Sequence, residues 1–259
     1  MSNDDAYANA AHIDGAEAYP RRWQEAAASL RAATAGEVHR RYGSARRQRY
    51  DLFLPEGEAH GTAVFVHGGY WRTLDKSVWS HLAAGPLARG WAVAMPSYTL
   101  APAARIPEIT SEIAAFLTHL ADERPGPLRL AGHSAGGHLV ARMLCPGVLP
   151  PPVLERVEAC VPISPVADLR PLIDTEMNAD FRLDTETAEA ESPALLPREG
   201  AARVTVWVGA DERPAFRDQA RWLAQAWNVP LVVEPARHHF DVVDGLETAE
   251  SALTEALLG

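Results

Sequence analysis

From Thr62 onward the chain alternates short apolar runs with longer segments of helical periodicity, and this alternation constrains the fold most. The apolar runs have no polar face, as strands buried on both sides of a parallel sheet require. Strands are predicted at 62–66, 91–95, 128–131, 157–163, 204–208 and 231–233, and helices at 77–88, 109–121, 135–144, 213–227 and 248–257. The pattern indicates an α/β fold: a mostly parallel, twisted, doubly wound sheet with helices on both faces and ligands at the carboxyl ends of the strands.

The residues before this alternation predict a different organisation. Residues 1–46 are expected to form an N-terminal helical extension, with residues 1–15 loose and an amphipathic helix at 16–35 that closes near Gly36. Residues 47–54 alternate polar and apolar side chains, which suits a half-exposed antiparallel edge strand. Residues 47–259 are then predicted to form a single α/β domain, a size that one such domain can reach.

One stretch, residues 164–200, interrupts the strand–helix rhythm. It contains four prolines, an acidic set of side chains and no strand-like run. An insertion this long in a compact domain is usually functional, so the segment is predicted to form a small lid over the site. This acidic set comprises Asp174, Glu176, Asp180, Asp184, Glu186, Glu189 and Glu191.

The strongest chemical motif is the G-x-S-x-G pentapeptide that runs from Gly132 to Gly136. It lies directly between a predicted strand and a predicted helix. A sharp strand-to-helix turn needs small neighbours and lifts the serine hydroxyl above the sheet. The motif therefore predicts Ser134 as a nucleophile, against the alternative of a glycine-rich helix start with a capping serine.

A serine nucleophile needs an orienting carboxylate, and this fold type supplies it between the serine and the histidine. Asp211 follows the strand predicted at 204–208, so it is expected at the carboxyl end of that strand. It is the preferred candidate. Glu212 and Asp168 remain alternatives.

The general base is predicted to be His239, which follows the strand predicted at 231–233. His238 is the competing assignment. A metal site formed by His238, His239 and Asp241 is disfavoured because adjacent histidines tend to point apart and no second cluster completes a ligand set.

The oxyanion of an acyl-transfer intermediate needs N–H donors that point at it in advance. These are predicted from Ala135, the residue after the nucleophile, and from Gly69 and Tyr70 in the loop after the strand 62–66. Gly68 is expected to shape that loop. His67 is expected to hold it by a structural hydrogen bond.

Charge and composition restrict the possible partners. The chain has 24 Lys and Arg against 34 Asp and Glu, a formal net charge of -10, which disfavours a nucleic-acid partner. No run of 18 apolar residues occurs, so a membrane span is not expected. The N-terminus is acidic, which disfavours a signal peptide. We therefore expect a cytoplasmic location. The two cysteines predict no disulfide framework.

One basic cluster is interpreted as a solvated face. It comprises Arg40, Arg41, Arg46, Arg47 and Arg49.

The motifs together resemble those of α/β-hydrolases over residues 47–259. The His67–Trp71 segment, the Gly132–His138 segment and the pair His239-Phe240 are similar to the arylformamidase (kynurenine formamidase) group, which is related to hormone-sensitive-lipase-like esterases. Where the esterases usually have His-Gly-Gly-Gly, this chain has Tyr70 at the fourth position. The resemblance implies hydrolysis of N-formyl-L-kynurenine to L-kynurenine and formate, with Ser134, Asp211 and His239 as the triad; the alternative is a carboxylesterase for short acyl esters.

An aryl formamide needs a tight acyl side and a flat apolar surface for the amine. Tyr70 and Trp71 are predicted to provide that surface, with Trp79 more consistent with core packing. The acidic lid suits a substrate ammonium, and a substrate carboxylate is expected to pair with an arginine, for which the candidates are Arg105, Arg182 and Arg213. The expected partner is a small-molecule substrate, and no cofactor or metal is expected. The sequence does not decide between a monomer and a homodimer.

Overall fold

A computed structural model describes residues 3–259 of the chain, and a nine-stranded sheet forms its centre. Residues 1 and 2, which belong to the predicted extension, lie outside the described residues. The strands are β1 Gly36–Arg41, β2 Arg49–Phe53, β3 Thr62–Val66, β4 Ala92–Pro96, β5 Leu128–His133, β6 Val157–Ile163, β7 Arg203–Val204, β8 Val206–Gly209 and β9 Leu231–Glu234.

Helices cover both faces of the sheet and the carboxyl ends of its strands. They are α1 Asn3–Tyr7, α2 Tyr19–Ala33, α3 Ala84–Ala88, α4 Ile106–Glu123, α5 Ala135–Arg142, α6 Pro151–Leu154, α7 Asn178–Phe181, α8 Thr185–Ala190, α9 Pro214–Trp227 and α10 Ala252–Leu258. Within residues 3–259, no helix is long and apolar enough to cross a membrane.

The strand order is β1-β2-β4-β3-β5-β6-β8-β9, with β7 pairing with β6 beside this path. The pairs β1–β2 and β2–β4 are antiparallel, and the remaining pairs are parallel. Strands β3, β5 and β6 lie at the centre, and their residues are almost all buried. The carboxyl ends of parallel strands meet at one edge, so the residues that follow β3, β5, β6, β8 and β9 converge there. The predicted fold class is confirmed.

The edge of the sheet differs from the prediction. Strand β2 is not an edge strand, because β1 pairs with it on the outer side and four of its five residues are buried. The sequence signal of β1 is weak because the strand is almost wholly exposed and a register shift interrupts its pairing between Glu37 and Arg40. The sheet therefore begins at Gly36, ahead of the predicted start of the catalytic domain at residue 47.

Two predicted elements are interrupted. The helix expected at 77–88 consists of two short 3₁₀ turns followed by α3, and the strand expected at 204–208 is split into β7 and β8. Thr205 separates the two strands and donates its N–H to the carbonyl of Cys160. The residues around both interruptions are mostly apolar, so the sequence pattern does not indicate where the helix or the strand is interrupted.

Residues 164–200 form short helices that are anchored in the body of the protein. Glu191, at the end of α8, lies buried and forms an ion pair with Arg142 of α5 (3.2 Å). Its carboxylate also accepts a hydrogen bond from the Thr110 hydroxyl of α4 (2.7 Å). The segment therefore packs against two core helices through a satisfied buried charge.

A second buried ion pair joins β2 to the loop that follows the β3 strand. Lys76 Nζ lies 2.7 Å from Asp51 Oδ1, and both side chains are 1% exposed. Asp51 Oδ1 also accepts the backbone N–H of His39 (2.7 Å), which supports the irregular part of β1. Separating the two charges in the interior would cost free energy, because each would lose its counter-charge. The pair therefore holds strand β2 and the loop at residue 76 together.

We predict that Lys76→Met lowers the free energy of unfolding by about 3–5 kcal/mol, because the buried Asp51 carboxyl group then loses its cationic partner. Urea unfolding followed by circular dichroism measures this. The matched control is Arg21→Met, which removes a solvent-exposed partner of Glu25 on α2 and should leave the unfolding midpoint close to that of the unchanged protein. Equal stability of Lys76→Met and the control would contradict the role of the buried pair.

Candidate active site

Ser134 lies in the turn between β5 and α5. Its backbone has φ 57° and ψ -116°, a conformation that non-glycine residues rarely adopt. The Ser134 N–H donates to the carbonyl of Ile163 at the end of β6 (2.8 Å), which holds the turn against the neighbouring strand. The side chain stands at the carboxyl end of the central strand with only 2% of the residue exposed. This is the geometry that the motif predicts for an activated serine.

Two glycines allow this turn to pack closely. A Cβ atom on Gly136 would lie 2.0 Å from the carbonyl oxygen of Val66, at the end of β3. A Cβ atom on Gly132 would lie 2.2 Å from the carbonyl oxygen of Gly136. Both contacts are with backbone atoms that cannot move away, so the close approach of β5, α5 and β3 requires glycine at these positions.

The structure pairs His239 with Glu212. His239 Nδ1 donates to Glu212 Oε2 at 2.6 Å, and the Glu212 side chain is fully buried. The other oxygen, Oε1, accepts the backbone N–H of Gly209 (2.9 Å) and the hydroxyl of Ser164. A carboxylate with these three donors is held in a fixed position. It therefore fixes the ring orientation of His239 and leaves Nε2 for other chemistry.

The structure does not bring Asp211, the preferred candidate for the orienting carboxylate, into contact with His239. Asp211 is exposed, and its N–H donates to the carbonyl of Arg237. After β8 ends at Gly209, the chain turns so that Asp211 faces solvent and Glu212 faces the interior. The other alternative, Asp168, forms an ion pair with Arg170 (2.7 Å). Glu212, considered in the sequence as a secondary candidate, occupies the position.

His238 has partners of its own away from this pair. Its Nε2 lies 3.0 Å from the Tyr19 hydroxyl, and its Nδ1 lies 3.1 Å from Asp241 Oδ1. Within residues 3–259 no group of three or more His, Cys, Asp or Glu side chains is placed to hold a metal ion. The geometry favours His239 over His238 as the histidine that faces Ser134.

The loop after β3 approaches Ser134 with its backbone. Gly69 has φ 103° and Tyr70 has φ 51°, and a Cβ atom on Gly68 would lie 3.1 Å from Ser134 Cβ. Among residues 3–259, no hydrogen-bond acceptor is paired with the N–H of Gly69 or of Tyr70. Ala135 is the first residue of α5, whose N–H has no partner within the helix. Three amides beside Ser134 are thus free to donate to a substrate oxygen.

His67 supports this loop from beneath. Its Nδ1 donates to the carbonyl of Gly68 (2.7 Å), and its ring stacks on Tyr98 with centroids 4.4 Å apart. Burial lowers the pKa of His67 to about 4, so the ring is neutral. The Tyr98 hydroxyl donates to the His67 carbonyl (3.0 Å). These contacts fit the predicted structural role.

Ser134 and His239 line one cavity of about 840 Å³. Its apolar walls include Trp23, Trp79 and Phe240. Tyr70 lines it as predicted, but Trp71 does not: the Trp71 ring is fully buried and packs edge-on against His138 and Phe181. Trp79, which the sequence suggests as a core residue, is both buried and part of the wall. The aromatic surface thus has a different composition from the predicted one.

The N-terminal part of the chain forms half of the cavity lining, which the sequence analysis missed. Residues 1–15 were expected to be loose, yet Tyr7 is buried and the segment 3–18 folds into α1 and two 3₁₀ turns. The Tyr70 hydroxyl donates to the Tyr7 carbonyl (2.5 Å) and accepts from Asn9 Nδ2 (3.0 Å). The Tyr7 hydroxyl in turn accepts from Gln219 Nε2 (2.8 Å). Tyr7 was the one available signal, a single aromatic in a polar and alanine-rich stretch.

The predicted lid contributes little to this cavity. Of residues 164–200, Met177 lines it. None of the three arginines predicted to meet a substrate carboxylate is part of the lining. Arg213 forms an ion pair with Asp5 (2.8 Å), and Arg105 Nη2 donates to the carbonyl of Arg182 (2.7 Å).

The chain is similar to known hydrolases and esterases. A family model described as the alpha/beta hydrolase fold matches residues 63–228. The chain is 32% identical to a kynurenine formamidase of Drosophila melanogaster over 235 residues, covering 82% of this chain and 76% of that protein. A crystal structure of a proposed thioesterase from Silicibacter sp. TM1040 is 52% identical, with a TM-score of 0.98 and full coverage of both chains. An esterase B from Lactobacillus rhamnosis superimposes with a TM-score of 0.66 at 19% identity, covering 93% of this chain and 92% of that one.

The matched family region contains β3, the nucleophile turn, β8 and α9, and the formamidase relative extends the likeness over most of the chain. The protein is a hydrolase, and the chain belongs to the α/β-hydrolase family.

Proposed function

We propose that this hydrolase cleaves aryl formamides, with N-formyl-L-kynurenine as the first substrate to test, and that Ser134, His239 and Glu212 carry the chemistry. The observation that carries the proposal is that His239, which lines the same cavity as Ser134, is hydrogen-bonded to the buried Glu212 carboxylate. This arrangement supplies a nucleophile, a base and a fixed carboxylate in the roles that acyl transfer requires.

The reaction proceeds through a covalent formyl-enzyme. His239 Nε2 removes the proton of the Ser134 hydroxyl as Oγ attacks the formyl carbon, and the carbonyl oxygen becomes an oxyanion. The N–H groups of Gly69, Tyr70 and Ala135 donate to that oxyanion. The C–N bond then breaks, and His239 transfers its proton to the departing amine. A water molecule, deprotonated by His239, releases formate and restores the Ser134 hydroxyl.

The cavity fits an aromatic amine product. Trp23, Trp79 and Phe240 present ring surfaces, which contact flat aromatic groups well. The close approach of Gly68 to Ser134 Cβ leaves little space on the loop side of the nucleophile, which favours a small acyl group. The relative from Drosophila melanogaster is named for activity on the formyl derivative of an aryl amine.

A second candidate is hydrolysis of a thioester by the same residues. The Silicibacter relative, at 52% identity, is described as a proposed thioesterase. A thiolate leaves without prior protonation more readily than an arylamine does. The two functions therefore differ in how strongly they require His239 as a general acid.

We predict that the purified protein releases formate from formanilide and N-formyl-L-kynurenine, and that Ser134→Ala lowers kcat by about 10⁶-fold because no nucleophile remains. Formate release and absorbance of the free amine measure both. Rapid turnover of an acetyl thioester or p-nitrophenyl acetate with no formate released from either formamide would refute the formamidase proposal and retain the nucleophile.

We predict that Glu212→Gln lowers kcat by about 10⁴-fold, because the amide no longer holds His239 in the required tautomer. Asp211→Asn is the matched control: it alters the adjacent, exposed carboxylate, and kcat should remain within about twofold of the unchanged protein. Steady-state kinetics on one formamide compare the two variants. A larger loss in Asp211→Asn than in Glu212→Gln would reverse the assignment.

A further inference from the structure

The charge of the catalytic cavity is one-sided. Its acidic side chains are Asp4 of α1 and Glu17 of a 3₁₀ turn shortly after it. Among the residues described by the structure, no lysine and no arginine lines this cavity. The remaining lining is aromatic, aliphatic, small or neutral and polar. An anionic group of a substrate therefore finds no cationic partner here.

His133 does not supply a positive charge. The residue is 4% exposed, lines the cavity, and neither ring nitrogen has a hydrogen-bond partner. Burial and the nearby His239, whose ring centroid lies 4.6 Å away, lower the pKa of His133 well below its usual value. The ring is thus neutral and adds no positive charge to the cavity.

Arginines that neighbour the cavity lining along the chain are already paired with carboxylates. Arg22, next to Trp23, forms an ion pair with Asp244 (2.5 Å). Arg72, between Tyr70 and Thr73, forms one with Asp180 (2.6 Å). Because both arginines are neutralised by other carboxylates, they do not offset the charges of Asp4 and Glu17. The electrostatic potential at the N-terminal part of the cavity lining is therefore negative.

We propose that this cavity selects aryl substrates whose substituent remote from the scissile bond is neutral or cationic, and that it disfavours those with a carboxylate there. The inference rests on the proposed function and narrows its substrate class. An ammonium on the substrate is attracted by Asp4 and Glu17, and a carboxylate is repelled by them. An arylformamide lacking an α-carboxylate is then a better substrate than the corresponding amino acid.

The test uses three formanilides that carry a methyl, an aminomethyl or a carboxymethyl group at the same ring position. Their dissociation constants are measured by calorimetry on Ser134→Ala, so binding is read without turnover. We expect the aminomethyl compound to bind at least about fivefold more tightly than the carboxymethyl compound at low salt, with the preference reduced in about 0.5 M NaCl. The kcat/KM values of the unchanged protein should rank the substrates in the same order.

Variants assign the preference to its source. The double variant Glu17→Gln and Asp4→Asn should reduce the ratio of the carboxymethyl to the aminomethyl dissociation constant at least about threefold. Both negative charges are removed, while the amide side chains have nearly the same shape as the carboxylates. The amide introduced at position 4 retains an oxygen for the hydrogen bond that Asp4 accepts from the Glu176 N–H (2.7 Å). The control Glu58→Gln changes the net charge on an exposed distant loop and should leave the ratio unaltered.

Two results would overturn the inference: equal or tighter binding of the carboxymethyl compound, or a ratio that neither salt nor the double variant changes. Failure of the proposed function has a different signature. In that case no formanilide is hydrolysed by the unchanged protein, while the charge preference in binding to Ser134→Ala is retained.

Discussion

The close packing of β5, the turn at Ser134 and α5 against the end of β3 is the constraint on which the site depends. Gly132 and Gly136 bring backbone to backbone at distances that exclude a side chain. The N–H of Ser134 is held by Ile163 of the adjacent strand. Because the central strands are buried on both faces, this turn cannot relax without disturbing the core. Its positive φ is therefore maintained by the surrounding sheet, which is the usual way that strain persists at a functional position.

The histidine and its carboxylate are fixed by a second set of contacts at the same edge. Strand β8 ends at Gly209, whose N–H binds Glu212, and Ser164 at the end of β6 binds the same carboxylate oxygen. Three consecutive parallel strands, β5, β6 and β8, thus each contribute one part of the site. This arrangement follows from the parallel sheet, because the carboxyl ends of its strands lie side by side.

The shape and charge of the cavity come from outside the central sheet. Tyr70 joins the loop that faces Ser134 to the N-terminal segment through its hydroxyl, and Tyr7 extends the connection to Gln219 of α9. Burial raises the pKa of the Tyr70 hydroxyl, so it stays a hydrogen-bond donor at neutral pH. The residues proposed for catalysis are thus positioned by the central sheet, whereas the N-terminal segment forms half of the cavity lining.

Much of this architecture was accessible from the sequence because it depends on local patterns. Apolar runs of strand length mark buried strands, and the glycines around Ser134 mark a turn that no other residue type permits. The order of serine, acid and histidine narrowed the acid to three candidates, Asp211, Glu212 and Asp168. The choice between Asp211 and Glu212 could not be made there, since it depends on which way the chain turns after Gly209. The place of Trp71, the exposed strand β1 and the N-terminal wall were also decided only by tertiary structure, because each depends on contacts with residues far away along the chain that no local periodicity encodes.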